Sequence, residues 1–247
     1  MSTPLTDSIN ALTTYANEVT GASDTNLSDA VHTLASGYGG GEWDEIIAHY
    51  VTNAYGLFRD AILPNNTVLD FHDATLVDTT DFLRRATAEN LVIKNLTIIG
   101  SMASFARDFK SNSLTFVDCV LQPTNCSRAF QATIISVLGT EIDMSNSQTN
   151  DIMYYAEKLE DIRFKKSTIH ANFTFQNCRS LNSNSLISIA NALDENNPST
   201  LSSIPTNIKT LLTDTTGTVV DNVFVANESG TMSLADFITT VKGWTLP

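Results

Sequence analysis

The sequence predicts an α/β protein: a parallel β solenoid with helical caps, preceded by an N-terminal α-helical module. Three observations lead to this fold class. One short apolar pattern returns five times between Leu69 and Ile169, apolar residues follow helical spacing before that region, and helix signals replace the pattern after Cys178. A repeat this short cannot bury its own apolar face, so its copies must stack to make a core, as they do in solenoids.

The repeat reads apolar, any, apolar, any, any, variable, any, apolar, and its first positions lie 22, 23, 21 and 27 residues apart. We expect the apolar residues to face inward on strands, whose side chains alternate between two faces. The five copies begin at Leu69, Leu91, Leu114, Ile135 and Ile162. An aromatic residue follows each copy and is expected to stack on the second wall of the coil: Phe82, Phe105, Phe130, Tyr154 or Tyr155, and Phe175.

Residues 1–36 are predicted to form a helical oligomerisation or anchoring module, and residues 37–42 a Gly-rich joint. Thr3-Pro4 is a typical helix opening, and the apolar residues that follow form a heptad-like seam. Helices this short are marginal alone and must pack on something. The alternative is a small helical hairpin folded back on the rod. The predicted contact residues are Leu5, Ile9, Leu12, Ala16, Val19, Leu27, Val31 and Leu34.

The solenoid itself is predicted over residues 61–182, between two caps. Residues 43–60 have the apolar spacing of an amphipathic helix, which would cover the unpaired backbone groups and apolar cross-section of the first coil. Residues 183–247 are predicted to form a C-terminal cap of mixed structure. It would contain a helix from Ser183, a strand over Val219–Val225 and a capping box at Ser233-x-x-Asp236.

The charge distribution excludes some partners. The formal net charge is −13, and seven carboxylates precede the first basic residue, Arg59. Nucleic acids and anionic membrane surfaces both require a basic footprint, so neither is expected as the main partner. The sequence has no signal-peptide pattern and no run of about 18 apolar residues, which predicts synthesis in a cytoplasm, without export by the usual signal or membrane insertion.

No catalytic signature is present, and the sequence predicts no enzyme, no metal site and no cofactor. The three cysteines lack metal-ligand spacing and are expected to be buried thiols. Carboxylates such as Glu157, Glu160 and Asp161 could imitate a glycosidase pair, but such clusters are more often solvated coil edges. Tyr154 and Tyr155, beside a Ser/Asn-rich insertion at residues 144–150, form a candidate ligand face.

Two resemblances to known families extend this interpretation. The repeat resembles the irregular leucine-rich repeat of BspA-like bacterial surface proteins, which implies an irregular leucine-rich-repeat-like parallel β solenoid. It lacks that family's asparagine at the sixth position, where only Cys119 is a standard substitute. The glycine-ended N-terminal segment Tyr15–Gly41 and the final Gly243-Trp-Thr-Leu246 are similar to structural proteins of phages and prophages from Gram-positive gut bacteria.

The second resemblance implies a non-enzymatic virion protein from the tail, baseplate or head fibre. Its N-terminus would anchor to the particle, and its solenoid would serve attachment or decoration. The expected partners are further copies of the chain, with a trimer as one stoichiometry, other virion proteins, and a host-surface glycan or protein. The alternatives are a bacterial leucine-rich-repeat adhesin or protein-binding module and, third, a polysaccharide-acting enzyme.

Overall fold

The computed structural model describes residues 54–131, 133–149 and 151–247. One parallel sheet joins successive coils in the order β1-β2-β3-β5, with β4 paired to β2. Its strands are β1 (Thr67–Asp78), β2 (Asn90–Ser101), β3 (Lys110–Val117), β4 (Val120–Leu121) and β5 (Thr133–Gly139). The predicted parallel β solenoid is therefore confirmed. The predicted module 1–36, its eight contact residues and the joint 37–42 lie outside the described residues.

Alternation of side chains creates the core, because inward residues of every coil stack on those of the next. In β2 the inward residues Leu91, Ile93, Leu96 and Ile98 are all fully buried. The return path of each coil is a turn segment without helix, tied to the next coil by backbone bonds. Leu83 N–H, for example, donates to the Phe105 carbonyl at 2.6 Å.

The predicted aromatic wall is present in most coils. Phe82 and Phe105 stack with ring centroids 5.0 Å apart and an interplanar angle of 10°, and Phe130 follows with its centroid 6.5 Å from that of Phe105. The fourth aromatic is a correction: neither Tyr154 nor Tyr155 enters the core, because Ile152 and Met153 fill that layer. Both tyrosines remain on the surface, half-buried and exposed respectively.

The register of the first copy differs from the sequence alignment by two residues. Leu69 pairs with Ile93 and not with Leu91, and β1 recovers the predicted register after a bulge at residues 71–73, so that Ala74 pairs with Leu96. A shift of two residues keeps every side chain on the same face of the strand. The apolar pattern therefore could not reveal it.

The fourth and fifth copies were also misaligned. Val137, not Ile135, pairs with Leu114. In the fifth copy, Phe164 was expected to align with the equivalent residue of the fourth copy, Val137. It lies instead opposite Ile142, the last apolar position of that copy. The fourth copy also departs from the predicted alternation, because Ile134 and Val137 are buried whereas Ile135, predicted to face inward, is only half-buried. The longer spacing before the fifth copy concealed an irregular coil.

The predicted N-terminal cap helix over residues 43–60 is wrong over its described part. Residues 54–60 form the turn segment of the first coil: Phe58 N–H donates to the Phe82 carbonyl at 2.8 Å, and Asp60 N–H to the Arg84 carbonyl at 2.9 Å. A turn segment whose inward residues pack on the next coil also has apolar residues at i and i+3 or i+4. The apolar spacing therefore did not distinguish an amphipathic helix from such a turn segment. Residues 43–53 lie outside the described residues.

At the C-terminal edge a helix replaces the strand. Helix α1 (Ser183–Ala192) begins where the cap was predicted to begin, with Asn182 as its N-cap. The Ser185 hydroxyl accepts from the Ile162 N–H at 2.9 Å, and the Ser188 hydroxyl accepts from the Phe164 N–H at 2.8 Å. These serines satisfy backbone donors of the last coil, which would otherwise form an open edge.

The remaining chain covers this end of the solenoid. It contains β6 (Phe173–Thr174), β7 (Leu201–Ser202), α2 (Thr206–Asp214), β8 (Thr216–Val220), β9 (Val223–Ala226), β10 (Met232–Ser233), α3 (Leu234–Asp236) and a π-helical turn, Phe237–Val241. The single strand predicted over Val219–Val225 is instead the β8–β9 hairpin. Its turn residues Asp221 and Asn222 both have positive φ, which favours a two-residue hairpin loop. The predicted capping box forms, with the Asp236 N–H donating to the Ser233 hydroxyl at 3.0 Å.

Asp194 accepts several hydrogen bonds within the C-terminal cap and makes the stability of the protein depend on pH. Burial alone would raise the pKa of Asp194, but hydrogen bonds from Asn197, Asn196 and His170 outweigh burial and lower that pKa to about 2. The stabilisation is complete above the ordinary carboxyl pKa of 3.8 and is lost as the pH falls through 2. We expect unfolding free energy to drop by about 2 kcal/mol between pH 4.5 and 2 from this group.

Urea unfolding at several pH values tests this expectation, with Asp194→Asn as the comparison. The variant should be less stable near neutral pH and lose less stability on acidification. An unchanged acid dependence in Asp194→Asn would contradict the assignment.

Candidate ligand-binding corner

Left-handed residues recur along the solenoid, and one column of them marks the corner that holds Tyr155. Tyr155 occupies this position in its coil, with φ 59°. The Tyr155 N–H donates to the Gln176 carbonyl at 3.0 Å, in the pattern by which Arg85 N–H donates to Arg107 and Asp108 N–H to Gln131. The residues with positive φ at this corner are Asp60, Arg85, Asp108, Tyr155 and Asn177. A bulky aromatic residue is unusual among these, because positive φ favours glycine, asparagine and aspartate.

The corner presents a pair of aromatic rings and a cation. The ring centroids of Tyr154 and Tyr155 lie 4.5 Å apart, and the Arg128 guanidinium carbon lies 4.9 Å from the Tyr154 centroid. Gln176 Nε2 is 3.5 Å from the Tyr155 hydroxyl. Tyr155 is 39% exposed, so its ring face is accessible to a ligand. The two residues predicted as a ligand face are thus brought together on the surface.

A shallow cleft of about 340 Å³ adjoins Tyr155. Both of its lysines, Lys110 and Lys158, also line a second depression of about 420 Å³ on the neighbouring surface. No ion pair joins either lysine to another residue in the described ranges. The first cleft is lined by Asp108, Lys110, Gln131, Thr133, Tyr155, Glu157 and Lys158. This arrangement offers an aromatic face with hydrogen-bond donors and acceptors around it.

Beside the corner runs a second row, which we name the arginine ladder: Arg59, Arg84 and Arg107. Backbone bonds place these residues in register, because Asp60 N–H donates to the Arg84 carbonyl and Arg85 N–H to the Arg107 carbonyl. The same pattern continues the row to Gln131, because the Asp108 N–H donates to the Gln131 carbonyl. Their side chains are 38, 25 and 33% exposed.

The carboxylates considered as a catalytic group do not form one cleft. Glu157 lines the cleft beside Tyr155, whereas Glu160 and Asp161 are not among its residues. The Asp161 carboxylate instead pairs with Arg163, at 3.0 Å from its Nε. No group of three or more metal-ligating side chains occurs in the described part of the chain.

The pKa shifts of Asp143 and Cys178 belong to structural contacts. Burial alone would raise the pKa of Asp143, but hydrogen bonds from Lys165 and Ser145 lower it to about 2. Burial raises the pKa of the Cys178 thiol to about 12. All three cysteines are free and buried, so the interpretation of them as small buried thiols is confirmed.

Sequence reasoning found the tyrosines but missed Arg128, Gln131, Lys110 and Lys158. The coil length could have predicted part of this set. Residues one and two coil lengths before Tyr155, which are 132–133 and 108–110, lie beside it in a solenoid. The misaligned fourth copy obscured this relation.

Among the described residues, no helix combines the length and apolar character needed to cross a bilayer. Comparison of the chain with protein-family models, with curated proteins and with solved structures gave no match.

Proposed function

We propose that this chain is a non-enzymatic attachment protein of a virion, in which the solenoid displays a glycan-binding corner. Residues 1–36 anchor it to the particle or join it to further copies. The observation that carries this proposal is the exposed Tyr154–Tyr155 pair beside the cleft. Exposed tyrosines combine an apolar ring face with a polar tip, which suits them to recognition surfaces.

The backbone at the corner supports the proposal. Tyr155 keeps a bulky ring at a left-handed position that other described coils fill with Asp60, Arg85, Asp108 or Asn177. A residue in this region costs of order 1 kcal/mol relative to a better-suited one, and such local strain clusters at functional sites. The surrounding amide, hydroxyl and charged groups can bond to sugar hydroxyls while the ring packs on the sugar face.

The leucine-rich-repeat-like character belongs to the same proposal. Cys119 stands at the position where that family has asparagine. Its Sγ lies 3.4 Å from the Ile93 carbonyl oxygen and 3.3 Å from that of Val117, so its single S–H can donate to either. A side chain that bonds inward to the backbone of its own and the preceding coil serves the role expected of that position. This contact favours an irregular repeat of the BspA-like kind.

Replacing Tyr155 tests the corner. Tyr155→Asn suits the left-handed backbone, so we expect the unfolding free energy to stay within about 0.5 kcal/mol of wild type or to rise. We expect glycan affinity to fall at least about tenfold, because the stacking face is lost. Binding of the full chain to a glycan array and to Gram-positive cells measures this, with unfolding followed in parallel.

Val220→Asn is the control, since Val220 is 56% exposed on the β8–β9 hairpin and is not among the cleft residues. Equal loss of binding in both variants would contradict a specific role for the corner.

For the virion assignment, adjacency of the gene to tail or capsid genes is the decisive observation. Light scattering of the protein with and without residues 1–40 tests the anchoring module. A monomer that the deletion leaves unchanged would count against that module.

A further inference from the structure

The side of the solenoid that holds the corner differs in charge from the rest of the chain. Five of the seven arginines lie on the turn segments and corners of four successive coils: Arg59, Arg84, Arg85, Arg107 and Arg128. Lys110 and Lys158 line the adjoining cleft. Half of the fourteen basic residues of a chain with net charge −13 are therefore gathered on one side. The same segments and cleft also carry carboxylates, namely Asp60, Asp81, Asp108, Asp151 and Glu157. The cations outnumber these carboxylates, so this side attracts anionic ligands despite the overall negative charge.

The arginine ladder is only partly neutralised from within. Arg84 pairs closely with Asp81 at 2.8 Å. Arg59 lies 3.6 Å from Asp60 and 3.9 Å from Asp81, and Asp60 is itself held by Arg85 at 2.6 Å. Arg107 has Asp108 at 3.7 Å. Arg128 lies over the Tyr154 ring and pairs with no carboxylate within the described ranges.

Unsatisfied polar atoms converge on the same row. Four buried side-chain polar atoms lack a hydrogen-bond partner in the described chain, and three belong to this row: Arg84 Nε, Arg107 Nε and Gln131 Oε1. Buried polar atoms are usually paired, so these three atoms leave hydrogen-bonding capacity in the row that the described chain does not use. Like charges in register across neighbouring strands also repel one another. A bound ligand with several anionic groups relieves this repulsion.

We infer that the arginine ladder, together with Arg128 and the Tyr154–Tyr155 pair, binds an acidic glycan that lies along the solenoid axis. This inference rests on the proposed attachment function and names the class of its ligand. Coils repeat at about 4.8 Å, so the ladder offers regularly spaced guanidinium groups to a polymer with regularly spaced anions. Guanidinium groups bind carboxylates and phosphates in a planar, bidentate geometry.

The shared ligand chemistry is a repeating anion on a polyol or sugar backbone, and two probes separate its sources. Polygalacturonate carries a carboxylate on each sugar, and poly(glycerol phosphate) carries a phosphate on each unit; dextran is the neutral reference. With the full chain, we expect both or either of the anionic polymers to bind at least tenfold more tightly than dextran. That affinity should fall by about tenfold between 50 and 200 mM salt.

Arg107→Gln removes one charge from the ladder at nearly constant size. We expect a loss of about tenfold in affinity for the anionic polymer, with unfolding free energy within about 0.5 kcal/mol of wild type because its ion pair is long and half-exposed. Arg179→Gln is the matched control: it removes the same charge from an exposed arginine outside the ladder. The control should bind as wild type does.

Four outcomes overturn the inference, and they can be told apart. If dextran binds as tightly as the anionic polymers and depends on Tyr155 but not on Arg107, the attachment function stands and the acidic ligand is wrong. If Arg179→Gln weakens binding as much as Arg107→Gln, the effect is net charge and not the ladder. If single-stranded DNA binds as well as the acidic glycans, the site does not recognise a glycan. If neither polymers nor cells are bound, both proposals fail.

Discussion

Replacing Phe105 by alanine is expected to lower the free energy of unfolding by about 3–5 kcal/mol, the usual cost of removing a fully buried aromatic ring. Phe105 is completely buried and stacks on Phe82 at 5.0 Å, with Phe116 at 6.2 Å and Phe130 at 6.5 Å. Its ring therefore contacts the aromatic residues of the coils on either side, and it also packs against Phe116 of strand β3 within the core. Because a solenoid is stabilised mainly by contacts between neighbouring repeats, a cavity here weakens the stack in both directions.

Urea unfolding followed by circular dichroism measures the effect, and Phe105→Leu provides the graded comparison. Leucine keeps most of the buried volume, so we expect a loss of about 1–1.5 kcal/mol. Val225→Ala on the exposed face of the β8–β9 hairpin should change stability by less than about 0.5 kcal/mol. A Phe105→Ala protein within 1 kcal/mol of wild type would contradict the packing described for this wall.

Gly139→Ala is the second large expected effect, and we expect a loss of more than about 3 kcal/mol or failure to fold. Gly139 has φ +87° and lies opposite Phe116 in the parallel pair of β3 and β5. A Cβ atom built there would lie 1.8 Å from the Phe116 carbonyl oxygen. The clash is with backbone, so only separation of the two strands could relieve it.

Gly243→Ala is the matched control, because Gly243 also has a left-handed φ of +70° but has room for a side chain. Its Cβ would meet Pro198 at 3.5 Å, an ordinary contact. Only conformational strain remains, and we expect a loss of about 1 kcal/mol. Thermal melting of the two variants side by side measures the difference. Equal destabilisation would show that strain alone, and not close strand approach, governs Gly139.

The apolar repeat predicted the inward residues of the coils, Ile135 excepted, but not which residues pair. Leu69 and Val137 are paired two residues away from the sequence alignment, yet both remain buried. The hydrophobic pattern has a period of two and is blind to such shifts. The position of the bulge after Asp70 depends instead on how two coils of unequal length fit together, which is a property of the stack.

Local signals succeeded where the chemistry was local and failed where it was not. The Ser233 capping box formed as predicted because its bond joins residues three apart. The helix expected before residue 60 failed over residues 54–60, since hydrogen bonds to the next coil replaced intrahelical ones. The Ser185 and Ser188 hydroxyls that satisfy the open edge were invisible for the same reason.

The sequence by itself determined the solenoid and most of its inward-facing residues, because both follow from a periodicity along the chain. It also picked out Tyr154 and Tyr155 as a ligand face, but it expected one of them to enter the core. Only the tertiary structure decided that Tyr155 stands at a left-handed corner, that Arg128 covers Tyr154, and that three arginines share one row. Stacking brings together residues roughly one coil apart, and small variations in coil length decide which ones meet. The pairing register depends on contacts along the whole stack of coils, so no single repeat encodes it.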